Sequence, residues 1–207
     1  MNRPLRAALR LRDHVDGPRS VAVTFDDGPD LRGTPAVLEK LAAAGVQATF
    51  FLVGEQVARA PGLAAELAAA GHRVELHCHR HRSPLRLTPR QLRDDLRRGA
   101  AAISEATGYV PRAYRPPYGH FSAAAIVLAR REGLEPVLWS RHGRDWSSRT
   151  TTQQIAERLT EGLRAGEVLL LHDGDSYGTK GSWRRTAEAL PLVFDALDER
   201  GLRAVIL

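Results

Sequence analysis

Ser20-Val21-Ala22-Val23-Thr24-Phe25-Asp26-Asp27-Gly28-Pro29-Asp30 is the stretch whose reading decides the fold. Its first half alternates β-branched and apolar residues, as a buried strand does. Gly28-Pro29 breaks the chain, so the strand must end at the two aspartates. Adjacent carboxylates at the mouth of a buried strand repel each other, and burial aggravates that repulsion, so a cation is expected beside them. Taken alone, Asp-Asp-Gly-Pro is equally good turn chemistry. The histidines further along decide between the two.

Working outward from this strand, the pattern predicts helices over 34–44, 61–70, 88–107, 122–132, 152–164 and 185–200. Thr34 is expected to cap the first of them, with Pro35 at its first turn. Strands are expected over 48–53, 73–77, 113–115, 135–139, 167–171 and 203–207. About seven strands alternating with helices call for a parallel sheet with helices outside it, either a small barrel or a doubly wound sheet. In either arrangement the ligand site lies at the carboxyl ends of the strands. Those ends carry Asp26-Asp27, His77, Arg115, Trp139 and His172-Asp173.

The chain of 207 residues is long enough for one domain with a proper core. Residues 1–19 read as a basic N-terminal segment packed on the barrel, in which Leu5, Ala8 and Leu9 share a helical face. Residues 20–207 read as the catalytic domain. The formal charge is +6, carried by arginines scattered as pairs such as Arg97-Arg98 and Arg184-Arg185, so no nucleic-acid partner is expected. Cys78 is the single cysteine, which excludes an intrachain disulfide. Neither a signal peptide nor a membrane span is apparent, so the expected location is the cytoplasm unless the true start lies upstream. Nothing in the pattern fixes an oligomeric state.

His77 and His81 stand four apart, and in one helical turn both imidazoles would face one ion. With one carboxylate from the neighbouring strand end they form a His-His-Asp set that leaves a position open for water, the pattern of a catalytic metal. Cys78, His79 and His72 lie off that face.

Five segments then follow one another in order: Thr24-Phe25-Asp26-Asp27-Gly28-Pro29, His77-Cys78-His79-Arg80-His81, Arg115-Pro116-Pro117-Tyr118-Gly119, Asp145-Trp146 and Leu169-Leu170-Leu171-His172-Asp173. The sequence resembles the metal-dependent polysaccharide deacetylases, carbohydrate esterase family 4, which share the NodB homology domain. That resemblance implies a distorted (β/α)7 barrel and hydrolytic removal of an N-acetyl group from an N-acetylated sugar or glycan. It implies Asp27, His77 and His81 as ligands of a divalent metal, zinc first, with cobalt, nickel or manganese as substitutes. Asp26 would be the general base toward metal-bound water, held by Arg115, and His172 the general acid, oriented by Asp145. The Tyr118 backbone amide would serve the oxyanion, with Pro117 in the same motif, while Trp146 and Leu170 would wall the acetyl pocket. Cys78 replaces the usual Ser or Thr, and His142 stands where many members carry another aspartate. Deformylation or O-deacetylation at the same site, or a non-catalytic glycan- or anion-binding module, are the alternative readings.

Overall fold

The computed structural model describes residue 6 and residues 8–207. Strand β1 (Ser20–Asp26) lies at the centre, buried at every position after Ser20. It pairs in parallel with β2 (Thr49–Val53) through Thr24↔Thr49 to Asp26↔Phe51. On its other side it pairs with β7 (Val168–His172), which sets Asp26 opposite His172. Beyond β2 follow β3 (Arg73–Cys78), β4 (Ala113–Tyr114) and β5 (Glu135–Pro136); beyond β7 lies β6 (Arg141–His142). The closing strand β8 (Arg203–Val205) pairs with the first residues of β1. Every strand pair is parallel, as a barrel built from strand–helix units requires.

The sheet path ends at β5 on one side and β6 on the other. Residues 11–15 lie across that seam. Arg12 N–H donates to the Pro136 carbonyl at 3.0 Å, Leu138 N–H donates to the Arg12 carbonyl at 2.7 Å, and Val15 N–H donates to the Gly166 carbonyl at 3.0 Å. Leu11 and Val15 are buried there. Leu9 packs on the small cluster of Leu11, Ile126 and Leu138, and Arg6 reaches the Trp139 carbonyl at 2.8 Å. The expected amphipathic face includes Leu5, which lies outside the described residues.

Period-two alternation sorts β1 into two layers. Val21, Val23 and Phe25 face the main core beneath the helices, where Phe25 stacks on Phe50 at 4.9 Å. Ala22 joins the cluster inside the barrel with Phe51, Val137 and Val168. Thr24 and Asp26 also face inward, where they meet Arg115.

The covering helices are α1 (Gly33–Ala43), α2 (Gly54–Arg59), α3 (Pro61–Ala69), α4 (Pro89–Thr107), α5 (Ala123–Arg131), α6 (Thr152–Thr160) and α7 (Ser182–Glu199). Helix α4 starts at a capping box of Thr88 and Gln91 and stops at Gly108, whose φ of 70° is left-handed. Several boundaries differ from the sequence reading. Thr34 does not cap α1: its hydroxyl donates to Asp173, while Asp30 Oδ1 takes the Arg32 and Gly33 amides at 2.9 and 2.8 Å. Helix α6 ends at Thr160 because Glu161 is already extended, and α7 begins at Ser182, ahead of the expected 185. Helix α2 and strand β6 were not anticipated; six and two residues are too few for a period to register. Within 135–139 only Glu135–Pro136 belongs to the sheet path, and Val137 pairs instead with Arg12. No helix among the described residues is long and apolar enough to cross a membrane.

Candidate metal and catalytic site

Consecutive residues of a regular strand point to opposite faces, so Asp26 and Asp27 should diverge. They do not, because Asp27 turns into the left-handed region with φ of 82° as β1 ends. Both carboxylates therefore line one cavity of about 320 Å³ at the carboxyl ends of the strands. The turn is pinned by Val53 N–H donating to the Gly28 carbonyl at 2.9 Å. Only glycine fits at position 28, since a Cβ there would come within 2.2 Å of Asp173 Oδ2.

Asp26 meets the cation its surroundings call for. Arg115, fully buried after β4, donates from Nη1 to Asp26 Oδ1 at 2.7 Å and to Thr24 Oγ1 at 2.8 Å. Its Nη2 donates to the Leu138 carbonyl at 3.2 Å, and the guanidinium lies 4.0 Å above the Phe51 ring. Burial draws the Arg115 pKa down, and the paired Asp26 opposes that.

Asp27 faces the histidines. Its Oδ1 lies 3.4 Å from His77 Nε2 and 3.3 Å from His81 Nε2. The two rings meet in a way the sequence reading did not foresee. His77 is the penultimate residue of β3 and His81 sits in the following loop, so no helical turn brings them together. The loop curls because Asp95 of α4 accepts the amide protons of His79 and Arg80 at 2.8 and 3.1 Å. Asp95 is buried between Leu92 and Leu96 on the apolar face of α4. A carboxylate amid that stripe was the signal available in the sequence. Tyr177, also unforeseen, stacks on His81 with centroids 4.0 Å apart, and its hydroxyl accepts from Gln56 Nε2 at 3.4 Å.

These three side chains suit a divalent metal. Each of Asp27, His77 and His81 offers one ligand atom, all within 4.8 Å of one another. Asp27 Oδ1 is buried and lacks a hydrogen bond of acceptable geometry among the described residues. Burial alone would raise the Asp27 pKa, but the close His81 ring and the charges of His172 and His77 hold it below its ordinary value. Burial, the dominant cause, lowers His77 to about 4 against the pull of Asp26 and Asp27. An ionised carboxylate and a neutral imidazole are the protonation states that metal ligands require.

Across the cavity, β7 ends at His172. Its amide donates to Asp145 Oδ2 at 2.7 Å, and its Nδ1 lies 3.0 Å from Asp145 Oδ1. Thr186 of α7 donates to the same Oδ2 at 2.9 Å, completing a fully buried carboxylate. No sequence signal pointed to Thr186, 41 residues away from Asp145. Burial opposes a charged His172, yet Asp145, reinforced by Asp27 and Asp26, outweighs it and raises the pKa to about 10. His142, in β6, packs near Trp146 with ring centroids 5.3 Å apart and takes no part in the Asp145 hydrogen bonds.

Of the residues singled out beforehand, Asp26, Asp27, His77, His81, Tyr118, Trp139, Trp146, Leu170 and His172 line the cavity, joined by Tyr177. Arg115 and Asp145 stand directly behind Asp26 and His172. Pro117 is buried in the turn before Tyr118 and is not part of the cavity wall. Asp173 is fully buried under Gly28, where burial foremost raises its pKa to about 7.

The parallel α/β barrel thus gathers Asp27, His77 and His81 with the paired Asp26 and His172 at its strand ends, where such folds carry their sites. Residues 13–137 match the family profile described as polysaccharide deacetylase. The chain is 36% identical to a chitooligosaccharide deacetylase of Bradyrhizobium sp. (strain ANU 289), over 96% of this chain and 93% of that one. It is similar to the crystal structure of a peptidoglycan N-acetylglucosamine deacetylase in complex with an N-hydroxybenzamide. That match has a TM-score of 0.90 at 28% identity and covers 99% of this chain and 94% of the other. A family 4 acetyl xylan esterase from Clostridium thermocellum, solved with a cobalt ion, superposes with a TM-score of 0.81 at 30% identity, over 90% and 87% of the two chains. The chain belongs to the polysaccharide deacetylases, carbohydrate esterase family 4, with the NodB-type (β/α)7 fold. It is thereby a carbohydrate N-deacetylase of a metal-dependent family.

Proposed function

We propose that this protein hydrolyses the N-acetyl group of an N-acetylated sugar or short glycan, with a divalent ion held by Asp27, His77 and His81. The observation that carries this reading is the convergence of that ligand set, the Arg115-paired Asp26 and the Asp145-paired His172 on one cavity. When bound, such an ion acidifies water and offsets negative charge on the carbonyl oxygen. Zinc suits one carboxylate and two imidazoles.

The chain's own residues supply the proton transfers. Asp26 takes the proton of the attacking water, and Arg115 fixes the direction of its carboxylate. His172 protonates the departing amine, which leaves poorly as an anion, and Asp145 stabilises the imidazolium. The Tyr118 backbone, with φ of 62°, supplies the amide donor for the developing oxyanion. Trp146 and Leu170 wall the acetyl methyl. The deciding experiment is acetate release from an N-acetylglucosamine oligomer, expected to vanish with chelator and return with zinc. Release of formate in preference to acetate, or no release at all, would overturn the reading.

Two further expectations arise here. His172 acts as an acid only while protonated, so the rate should fall as pH rises through its folded pKa. That value is about 10 without metal, and a cation at Asp27 removes one of the pulls raising it. The alkaline limb of kcat/KM should therefore lie below pH 10 in the zinc enzyme and flatten in His172→Ala. An unchanged limb would transfer the acid role elsewhere. Asp95→Ala should free the His79 and Arg80 amides and loosen the loop that presents His81. Zinc affinity is expected to drop about 10- to 100-fold, as for other groups that orient metal ligands, measured by competition with a chromogenic chelator.

A further inference from the structure

A second cavity, of about 620 Å³, opens beside the reaction cavity and shares His81 and Tyr118 with it. A ligand longer than one sugar would cross from one to the other over these two rings. Leu85 and Tyr118 are 60% and 59% exposed on its walls, unusual for such side chains and suited to the apolar face of a sugar ring.

The charge of this groove has one sign. Arg82 and Arg86 line it, and no carboxylate does among the described residues. Some guanidinium groups of this chain find carboxylates at short range, as Arg73 does with Glu75, Arg97 with Glu132 and Arg141 with Glu167. Here Arg86 has no ion pair or hydrogen bond from its side chain among the described residues. Arg82 lies 3.7 Å from Asp95 Oδ1, an oxygen that already accepts the Arg80 amide at 3.1 Å. An unpaired Arg86, with an Arg82 whose carboxylate neighbour is shared with the Arg80 amide, leaves positive charge in excess over this apolar platform, and such a groove concentrates anions.

Building on the deacetylase reading above, we propose that this groove is a subsite for an anionic group on the unit next to the sugar being deacetylated, held by Arg82 and Arg86. The shared chemistry is an oxyanion one sugar away, either a carboxylate on a neighbouring sugar or a phosphate on a linked carrier.

The zinc-loaded protein would be given three tetrasaccharides of β-linked N-acetylhexosamine. In one, alternate sugars carry an O-lactyl carboxylate; the second is its methyl ester; the third is neutral with a phosphate at the reducing end. At low salt the carboxylate or the phosphate oligomer should exceed the ester in kcat/KM by about 5-fold per arginine, through KM, with the advantage shrinking at high salt. Which of the two leads identifies the source of the anion. Arg86→Gln should lower the anion-to-ester ratio and its salt dependence, and Arg86→Glu should bring it below one. Calorimetric affinities of the same ligands read the ratio without turnover. Charge preference without acetate release would sink the deacetylase reading and leave the subsite standing. Acetate release with a ratio of one, or a ratio untouched by Arg86→Glu, would overturn the subsite alone.

Discussion

His77→Ala and His81→Ala are each expected to yield folded protein that emerges from dialysis without zinc and releases no acetate. Removing one of three ligands leaves too few donors for the ion, and the loss of its charge stabilisation is worth several kcal/mol, roughly 10³-fold in rate or more. The two variants should differ in stability. His81 sits in a loop, and its truncation forfeits the Tyr177 stacking together with the edge contact to Tyr118. His77 is 2% exposed at the end of β3, and its truncation opens a void costing about 1–3 kcal/mol. Metal content by atomic emission, set beside thermal melts, separates loss of the ion from loss of the fold. Full zinc occupancy in both variants would remove this ligand set from consideration. The wild-type protein should also release zinc in acid, because protons compete for Asp27 and for a His77 that titrates near 4 without the ion.

The grouping of Asp27, His77 and His81 was legible in the sequence, though for an incomplete reason. A spacing of four brings two side chains together on a helix, but here His77 and His81 meet because a buried Asp95 folds the loop back. Close spacing within a short loop preserved proximity while its cause lay on α4. The same holds for Asp26 and Asp27. Their adjacency predicted repulsion and a nearby cation, and Arg115 is that cation. What adjacency could not convey is that two neighbours would face one cavity, which depends on the left-handed turn at Asp27. Thr186 and Tyr177 were invisible for a different reason. Each touches its partner across a long stretch of chain and lies in a segment of ordinary composition.

The parallel sheet was read from strands whose sequences carry their own burial, and its closure into a barrel only from the family resemblance. β1, β2 and β7 are largely apolar runs, and with β3 they form the continuous middle of the sheet. Strands β4, β5 and β6 are two residues each. Their extended state is set by the neighbour they pair with, here Leu76, the Ala113–Tyr114 segment and Leu169–Leu170 in turn. The closing contribution of residues 11–15 belongs to the same class. No local pattern marks Arg12 as a partner for Val137.

Asp26→Asn is expected to keep zinc and lose catalysis by about 10²- to 10⁴-fold, the usual worth of a general base. The substitution is nearly isosteric, and Asn offers Arg115 an acceptor oxygen where Oδ1 stood at 2.7 Å. Arg115 also keeps Thr24 Oγ1 and the Leu138 carbonyl. It loses the countercharge to a fully buried guanidinium, however, and breaking a buried pair in this way costs up to about 3–5 kcal/mol. A lowered melting temperature is therefore part of the expectation and does not by itself explain a rate loss, provided assays stay well below the transition. The loss should appear in kcat with KM little changed, since an amide in place of the carboxylate removes proton acceptance and not the walls that hold the sugar. Zinc content distinguishes the two aspartates. Asp26 Oδ2 lies 3.8 Å from His77 Nδ1, whereas Asp27 Oδ1 faces both Nε2 atoms at 3.4 and 3.3 Å. If Asp26→Asn lost its zinc while Asp27→Asn retained it, the two carboxylates would exchange roles, and Arg115 would then be holding a ligand in place of a base.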